Sequence, residues 1–281
     1  TFGPGETGTN FSEVVSLTAF LEIGEFLQVR GPLSWTTTTL ELDGNPEPLE
    51  VRTIADDSLE IFLGASELVP GVWGRDVGAT GFFFGDAELA VIHFVEEDTY
   101  ALTASGTALA SSAGTGSMAG TGTLTFNQSG LIIDETIEFL GQPGVGLRIS
   151  FLDNSTDIAL DIDQLEIEVS GQNLQASARV TVGSDRLEVD LQELSATFNL
   201  GSGTLGFAGA EGEFFLGNDQ AYGSVTGSIV QNGLDFLSLS GSLGLDFNTG
   251  EAPGELRSGE VLPGGPLVRL SGRNLTPTVD G

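Results

Sequence analysis

The amino-acid sequence predicts an all-β protein of elongated antiparallel sheets, sandwich-like or β-solenoid-like, built from degenerate repeats of about 120 residues. Three observations carry that prediction. Apolar and polar residues alternate with a period of two, the breaks between alternating stretches are short, and motifs of the first half recur in the second.

The alternation is clearest from Ile158 to Phe247. Ile158, Leu160 and Ile162 alternate with Ala159, Asp161 and Asp163. The phase then slips by one, and Leu165, Ile167 and Val169 alternate with Glu166, Glu168 and Ser170. A period of two places one set of side chains on a buried face and the other in water. Leu187 to Leu200 slips in the same way at Gln192-Glu193. A slip without turn residues is the mark of a β-bulge, so bulges are expected at Asp163-Gln164 and Gln192-Glu193, with adjacent long strands bending together. The breaks at Gly183-Ser184-Asp185-Arg186, Leu200-Gly201-Ser202-Gly203 and Gly217-Asn218-Asp219 are short. Short turns join antiparallel neighbours, whereas parallel pairs need a long crossover.

Taken in order, residues 1–10 are rich in Gly, Thr and Pro and read as a linker or flexible end. Residues 11–130 read as a first β repeat, 131–250 as a second, and 251–281 as a linker with the start of a third. Phe11 to Val29 alternates as a strand does, and Gly31-Pro32 reads as a turn before the β-favouring run Trp35 to Leu42. Leu49 to Val51 and Leu59 to Leu63 read as two short strands around an Asp56-Asp57 turn. Gly81 to Gly85 frames Phe82-Phe83-Phe84, Leu89 to Phe94 reads as a buried strand, and Glu96-Glu97-Asp98 as a hairpin turn. The Ala, Ser, Thr and Gly tract from Ala108 to Gly122 reads as closely packed strands in preference to a linker.

The recurrences define the repeat. Phe126-Asn127 is echoed by Phe247-Asn248, 121 positions on (247 minus 126). Leu59-Glu60-Ile61 is echoed by Leu187-Glu188-Val189, and the Gly81 to Gly85 block by Gly212 to Gly217. Leu102 to Thr107 resembles Leu237 to Ser242. Val169 to Leu174 recurs as Leu270 to Leu275, which suggests a third register.

Composition narrows the function. The chain has 281 residues, 40 acidic and 9 basic, for a formal net charge of -31, and every basic residue is arginine. Such a charge repels phosphate backbones and anionic lipid, so no nucleic-acid partner is expected. There is no Cys, which removes disulfides, thiolate catalysis and thiolate metal sites. No apolar run approaches the roughly 18 residues of a membrane helix, and no membrane span is expected. The long alternating strands would suit an outer-membrane barrel, but paired aromatic girdles are missing.

Chemistry is sparse. His93, the single histidine, lies between Ile92 and Phe94 in an apolar strand, and no nucleophile elbow has its strand-to-helix context. No enzyme is expected. Asp153, Asn154 and Asp157, followed by Asp161 and Asp163, gather the hard oxygen ligands that Ca²⁺ prefers, which makes them the candidate calcium site. Asp56-Asp57 and Gly217-Asn218-Asp219-Gln220 are weaker candidates.

The reading that follows is a structural β-repeat segment of an extracellular or cell-surface, matrix or filament protein, serving spacing, assembly or adhesion. Its expected partners are further copies or other surface proteins, met through strand edges. The alternative is a carbohydrate- or ligand-binding β-sandwich module, in which Trp35 and Trp73 would be exposed to glycans.

Overall fold

The computed structural model describes residues 11–23, 26–42, 45, 47–64, 69, 71–77, 79–111, 117–139, 141–153, 158–169, 172–182, 186–199, 203–217, 220–232 and 238–278. The long strands of the sequence are present: β1 (Phe11–Ile23), β2 (Leu27–Leu40), β3 (Leu49–Gly64), β4 (Gly81–Phe94), β5 (Thr99–Ser111) and β6 (Ser117–Asn127). A hairpin of β7 (Ile133–Glu138) and β8 (Gly146–Phe151) follows. The series resumes with β9 (Ile158–Val169), β10 (Gln172–Val182), β11 (Arg186–Asn199), β12 (Thr204–Gly217), β13 (Ala221–Asn232) and β14 (Ser238–Asn248). A second hairpin, β15 (Gly254–Glu255) and β16 (Val261–Leu262), precedes the last strand, β17 (Leu267–Thr278). The one helical turn among the described residues is 3₁₀, Gly74–Val77. Residues 251–278 thus hold three strands joined by turns.

Thirteen strands are hydrogen-bonded in one antiparallel sheet, in the order β1-β2-β3-β4-β5-β6-β9-β10-β11-β12-β13-β14-β17. Each strand lies beside its predecessor, as short turns dictate. The sheet skips only the two hairpins, which form two-stranded ladders of their own.

Two features expected as turns are bulges inside continuous strands. Pro32 lies within β2, opposite the register break between Val15 and Ala19 of β1. A proline has no N–H for the ladder, and a break in pairing is where a sheet tolerates one. Asp56-Asp57 lies within β3, beside Ser58 with φ 61. The two bulges expected from the phase slips are present: Gln164 has φ 53 and Glu193 has φ 54. Their strands are not neighbours, because β10 lies between them. Several bulges share one sequence form, a polar residue at positive φ followed by a buried apolar one. Ser58-Leu59, Gln164-Leu165 and Glu193-Leu194 show it, with Asp86-Ala87 a smaller version. The extra residue flips the sequence parity and so keeps Leu187, Val189, Leu191, Leu194 and Ala196 on one buried face.

The chain divides into two compact units, residues 1–61, 84–107 and 123–160 forming one and residues 62–83, 108–122 and 161–281 the other. In the first unit the β7–β8 hairpin folds over β3, β4 and β5. Ile133, Ile137, Phe139 and Ile149 pack there on Val51, Ala55, Ile92 and Phe94. Phe26, before β2, meets Phe126 of β6 edge to face at 5.8 Å between ring centroids. Those strands are four places apart in the sheet, about 19 Å if it were flat, so the sheet curls within this unit. In the second unit, Trp73 from the β3–β4 connection packs on Phe62 and Phe83, and the β15–β16 hairpin places Leu256 and Leu262 on Phe215 and Tyr222.

Of the sequence echoes, the Phe-Asn pair marks one repeated local construction. Asn127 and Asn248 each end a sheet strand, are buried, and lead into a hairpin. Asn127 Nδ2 donates to the Leu131 carbonyl at 2.9 Å, and its Oδ1 accepts from the Ser129 N–H at 3.1 Å. Asn248 Nδ2 donates to the Ala252 carbonyl at 2.9 Å, and its Oδ1 accepts from the Gly250 N–H at 3.0 Å. The next residue also matches: Gln128 N–H donates to Tyr100 O, and Thr249 N–H to Ala221 O. The other echoes fall out of register. Leu59 to Ile61 follows the bulge of β3, whereas Leu187 to Val189 precedes that of β11; the Phe block begins β4 but ends β12. Leu102 to Thr107 lies in β5, the place before β6, whereas its counterpart reaches into β14 itself. Val169 closes β9 and Leu174 lies in β10, whereas Leu270 to Leu275 is internal to β17.

Candidate functional site: an open sheet edge and a polar groove

The second unit presents two unlike faces. Through β10–β14 one face is apolar: Val180, Val189, Phe214 and Val225 are buried in neighbouring strands. Cross-strand pairing extends this face outward, from Leu245 to Leu270 and from Phe247 to Val268. Cover falls away along that row. Leu243 is buried, Leu245 and Phe247 half-buried, and on β17 Val268 is 65%, Leu270 52% and Leu275 48% exposed. The bulge at Asn274, φ 54, keeps Leu275 in line with Val268 and Leu270. β17 stands last in the strand order, so its outer backbone groups have no strand partner among the described residues. A strand of 12 residues with an open backbone edge and exposed apolar side chains is a template for another strand.

The opposite face is polar and holds a groove of about 760 Å³ beside the β15–β16 hairpin, lined by Arg179, Asp190, Glu211, Glu213, Ser224 and Arg273 among others. Arg257, from the hairpin, reaches down into this face. Its guanidinium hydrogen-bonds Glu188 at 3.0 Å and also Asp190, and lies 3.6 Å from Glu213. The Asp190 hydrogen bond, followed by that to Glu188, pushes the Arg257 pKa further above its ordinary value. Arg269 is held by Asp246 at 2.8 Å and by Glu260 at 3.3 Å. Gly254 fits because a β-carbon there would fall on the Tyr222 ring. These bonds fix the hairpin over the sheet and consume much of the groove's charge.

The acidic cluster expected to bind calcium divides. Asn154 and Asp157 lie outside the described residues. Asp153 is exposed at the end of β8. Asp161 and Asp163 lie on one exposed face of β9, and Asp161 takes both nitrogens of the Arg179 fork, at 2.9 and 3.1 Å. Among the described residues no group of three or more His, Asp or Glu is arranged to hold a metal ion. Asp56 is turned to Ser34 at 3.4 Å and to the Asp57 N–H at 3.0 Å, and burial raises its pKa.

His93 Nε2 lies 2.9 Å from Asp98 Oδ1, and its ring stacks on Tyr100 at 4.5 Å. Trp73 is buried on Phe62, with ring centroids 6.2 Å apart, and offers no face to a sugar; Trp35 is half-buried. No helix among the described residues is long and apolar enough to cross a membrane.

Sequence reasoning named Leu270 to Leu275 as an echo of Val169 to Leu174 but did not read Val268, Leu270 and Leu275 as one exposed row, because a bulge interrupts their alternation. The available signal was Asn274-Leu275, which repeats the polar-then-leucine form of Gln164-Leu165 and Glu193-Leu194. Comparison with protein-family models, with curated proteins and with solved structures gives no match.

Proposed function

We propose that this chain is a structural β segment of an extracellular surface, matrix or filament protein, and that it works by edge-to-edge assembly. The exposed row Val268, Leu270 and Leu275 on an edge strand is the observation that carries this reading. The strand order is in keeping with it. Six sheet strands followed by a hairpin that a buried Asn opens come first as β1–β8 and then as β9–β16, and β17 comes next as β9 did. In β9 the corresponding face is covered: Leu160 is 0% and Leu165 1% exposed. β17 thus carries an internal strand's side chains at an open edge.

Divalent cations, calcium among them, would act by screening the -31 charge that opposes association, with Asp153 and Asp163 as exposed contact points. The test is molar mass by light scattering across protein concentration, in EDTA and in millimolar Ca²⁺, for the native chain and for Val268→Glu/Leu270→Glu. Mass that grows with concentration in the native chain, and stays monomeric in a variant with unchanged circular dichroism, is the expected result. A native chain that remains monomeric at its highest soluble concentration in both buffers would overturn it.

A further inference from the structure

We infer that the strand which completes the β17 edge is β1 of a second copy, so that chains join head to tail. This rests on the assembly reading above and adds the identity of the partner edge. In a protein with 40 acidic and 9 basic residues, β17 carries Arg269 and Arg273 and no acidic residue. It is the most basic strand of the sheet. β1, the strand at the other end of the order, carries Glu13 and Glu22 and no basic residue. The two terminal strands therefore differ by four charges, +2 against -2, in the sense that favours pairing them.

Self-pairing of either edge is disfavoured by the same arithmetic. Two β17 strands would set arginines against arginines, and two β1 strands glutamates against glutamates; like charges across a ladder are destabilising. Arg269 is already held by Asp246 and Glu260. Arg273 has no carboxylate partner among the described residues, which leaves it for an incoming strand. The faces also correspond: in β1 Leu21 and Ile23 alternate with Glu22, as Val268 and Leu270 alternate with Arg269 in β17. Joining unlike edges is a heterologous contact, which builds rings or open filaments rather than closed two-fold dimers.

Charge reversal tests the pairing. Arg273→Glu and Glu13→Arg/Glu22→Arg are made separately, and folding is checked by circular dichroism. Each variant alone is expected to lose the concentration-dependent growth in mass of the native chain. An equimolar mixture is expected to form the mixed pair, because the unaltered β17 of the Glu13→Arg/Glu22→Arg variant then meets the unaltered β1 of the Arg273→Glu variant. Growth undiminished in the Glu13→Arg/Glu22→Arg variant, or stronger growth in Arg273→Glu, would overturn the inference in favour of β17 self-pairing and leave assembly itself standing. A monomeric native chain would overturn both.

A second measurement covers a variant that fails to fold. The native sequence has no Cys, so Ser16→Cys and Thr276→Cys place single thiols on β1 and β17. Mixed and treated with a short bis-maleimide, they are expected to give the mixed dimer in preference to either homodimer. A dominant Thr276→Cys homodimer would overturn the inference.

Discussion

At the scale of the residue, the buried asparagines are the most exposed to damage. Asn248 donates to two carbonyls, those of Ala252 and Pro263, each at 2.9 Å, and accepts from the Gly250 N–H. Asn248→Ala leaves these groups unsatisfied inside the protein, and the expected loss is about 2–3 kcal/mol. Denaturant unfolding checks it, and a loss within error would show that water replaces the side chain. Asp56 carries a pH signature of known sign. Burial raises its pKa, so the folded state holds the proton more tightly than the unfolded one. Asp56 therefore opposes folding at neutral pH and ceases to do so as pH falls through its folded pKa. Asp56→Asn, whose Oδ1 still accepts from the Asp57 N–H while its Nδ2 donates to the Ser34 hydroxyl, is expected to melt higher than the native chain at pH 7. That advantage should vanish in acid. Melting curves of both proteins from pH 7 to 3 would show it, and an advantage that grows in acid would contradict the assignment.

At the scale of the element, bulges set which side of each strand is buried. Glu193 holds φ 54 in the middle of β11, a conformation that costs a residue with a β-carbon about 1–2 kcal/mol. Glu193→Gly is expected to stabilise by up to about 1 kcal/mol. Glu193→Val, β-branched at positive φ, is expected to destabilise by about 1–3 kcal/mol. Equal stabilities for the two variants would mean that the strand straightens when the residue changes. These bulges were legible in the sequence at Gln164 and Glu193, because strong alternation on both sides made the slip visible. They were not legible at Ser58, where acidic Asp56-Asp57 imitates a turn, nor at Pro32, which looks like a turn until its partner strand is known. The edge row of β17 was hidden for a related reason. Exposure depends on place in the sheet, and Leu270 reads in sequence just like the buried Leu160.

At the scale of the whole molecule, charge is the dominant stress. A net charge of -31 destabilises any compact state through self-repulsion, and the screening length shrinks to about 10 Å at 0.1 M salt. The melting temperature is therefore expected to rise as NaCl is added from low ionic strength. A fall would mean that arginine bridges such as Arg257 with Glu188 and Asp190 outweigh the repulsion. The all-β class and antiparallel pairing were open to inspection because alternation and turn length are local signals. The single sheet of thirteen strands was not, since pairing order depends on which strand edges remain free after each turn. Nor could the calcium cluster be judged from sequence alone, because Arg179 reaches Asp161 from 18 positions away.

The order of the sheet also bears on how the protein is made. With the exception of the two places where a hairpin intervenes, each strand pairs with the one synthesised just before it. Loop closure between such neighbours costs little entropy, and a nascent chain can lay down one strand at a time on an edge that already exists. Growth of this kind needs no distant segment to arrive first. Within the sheet, the newest strand is the template for the next.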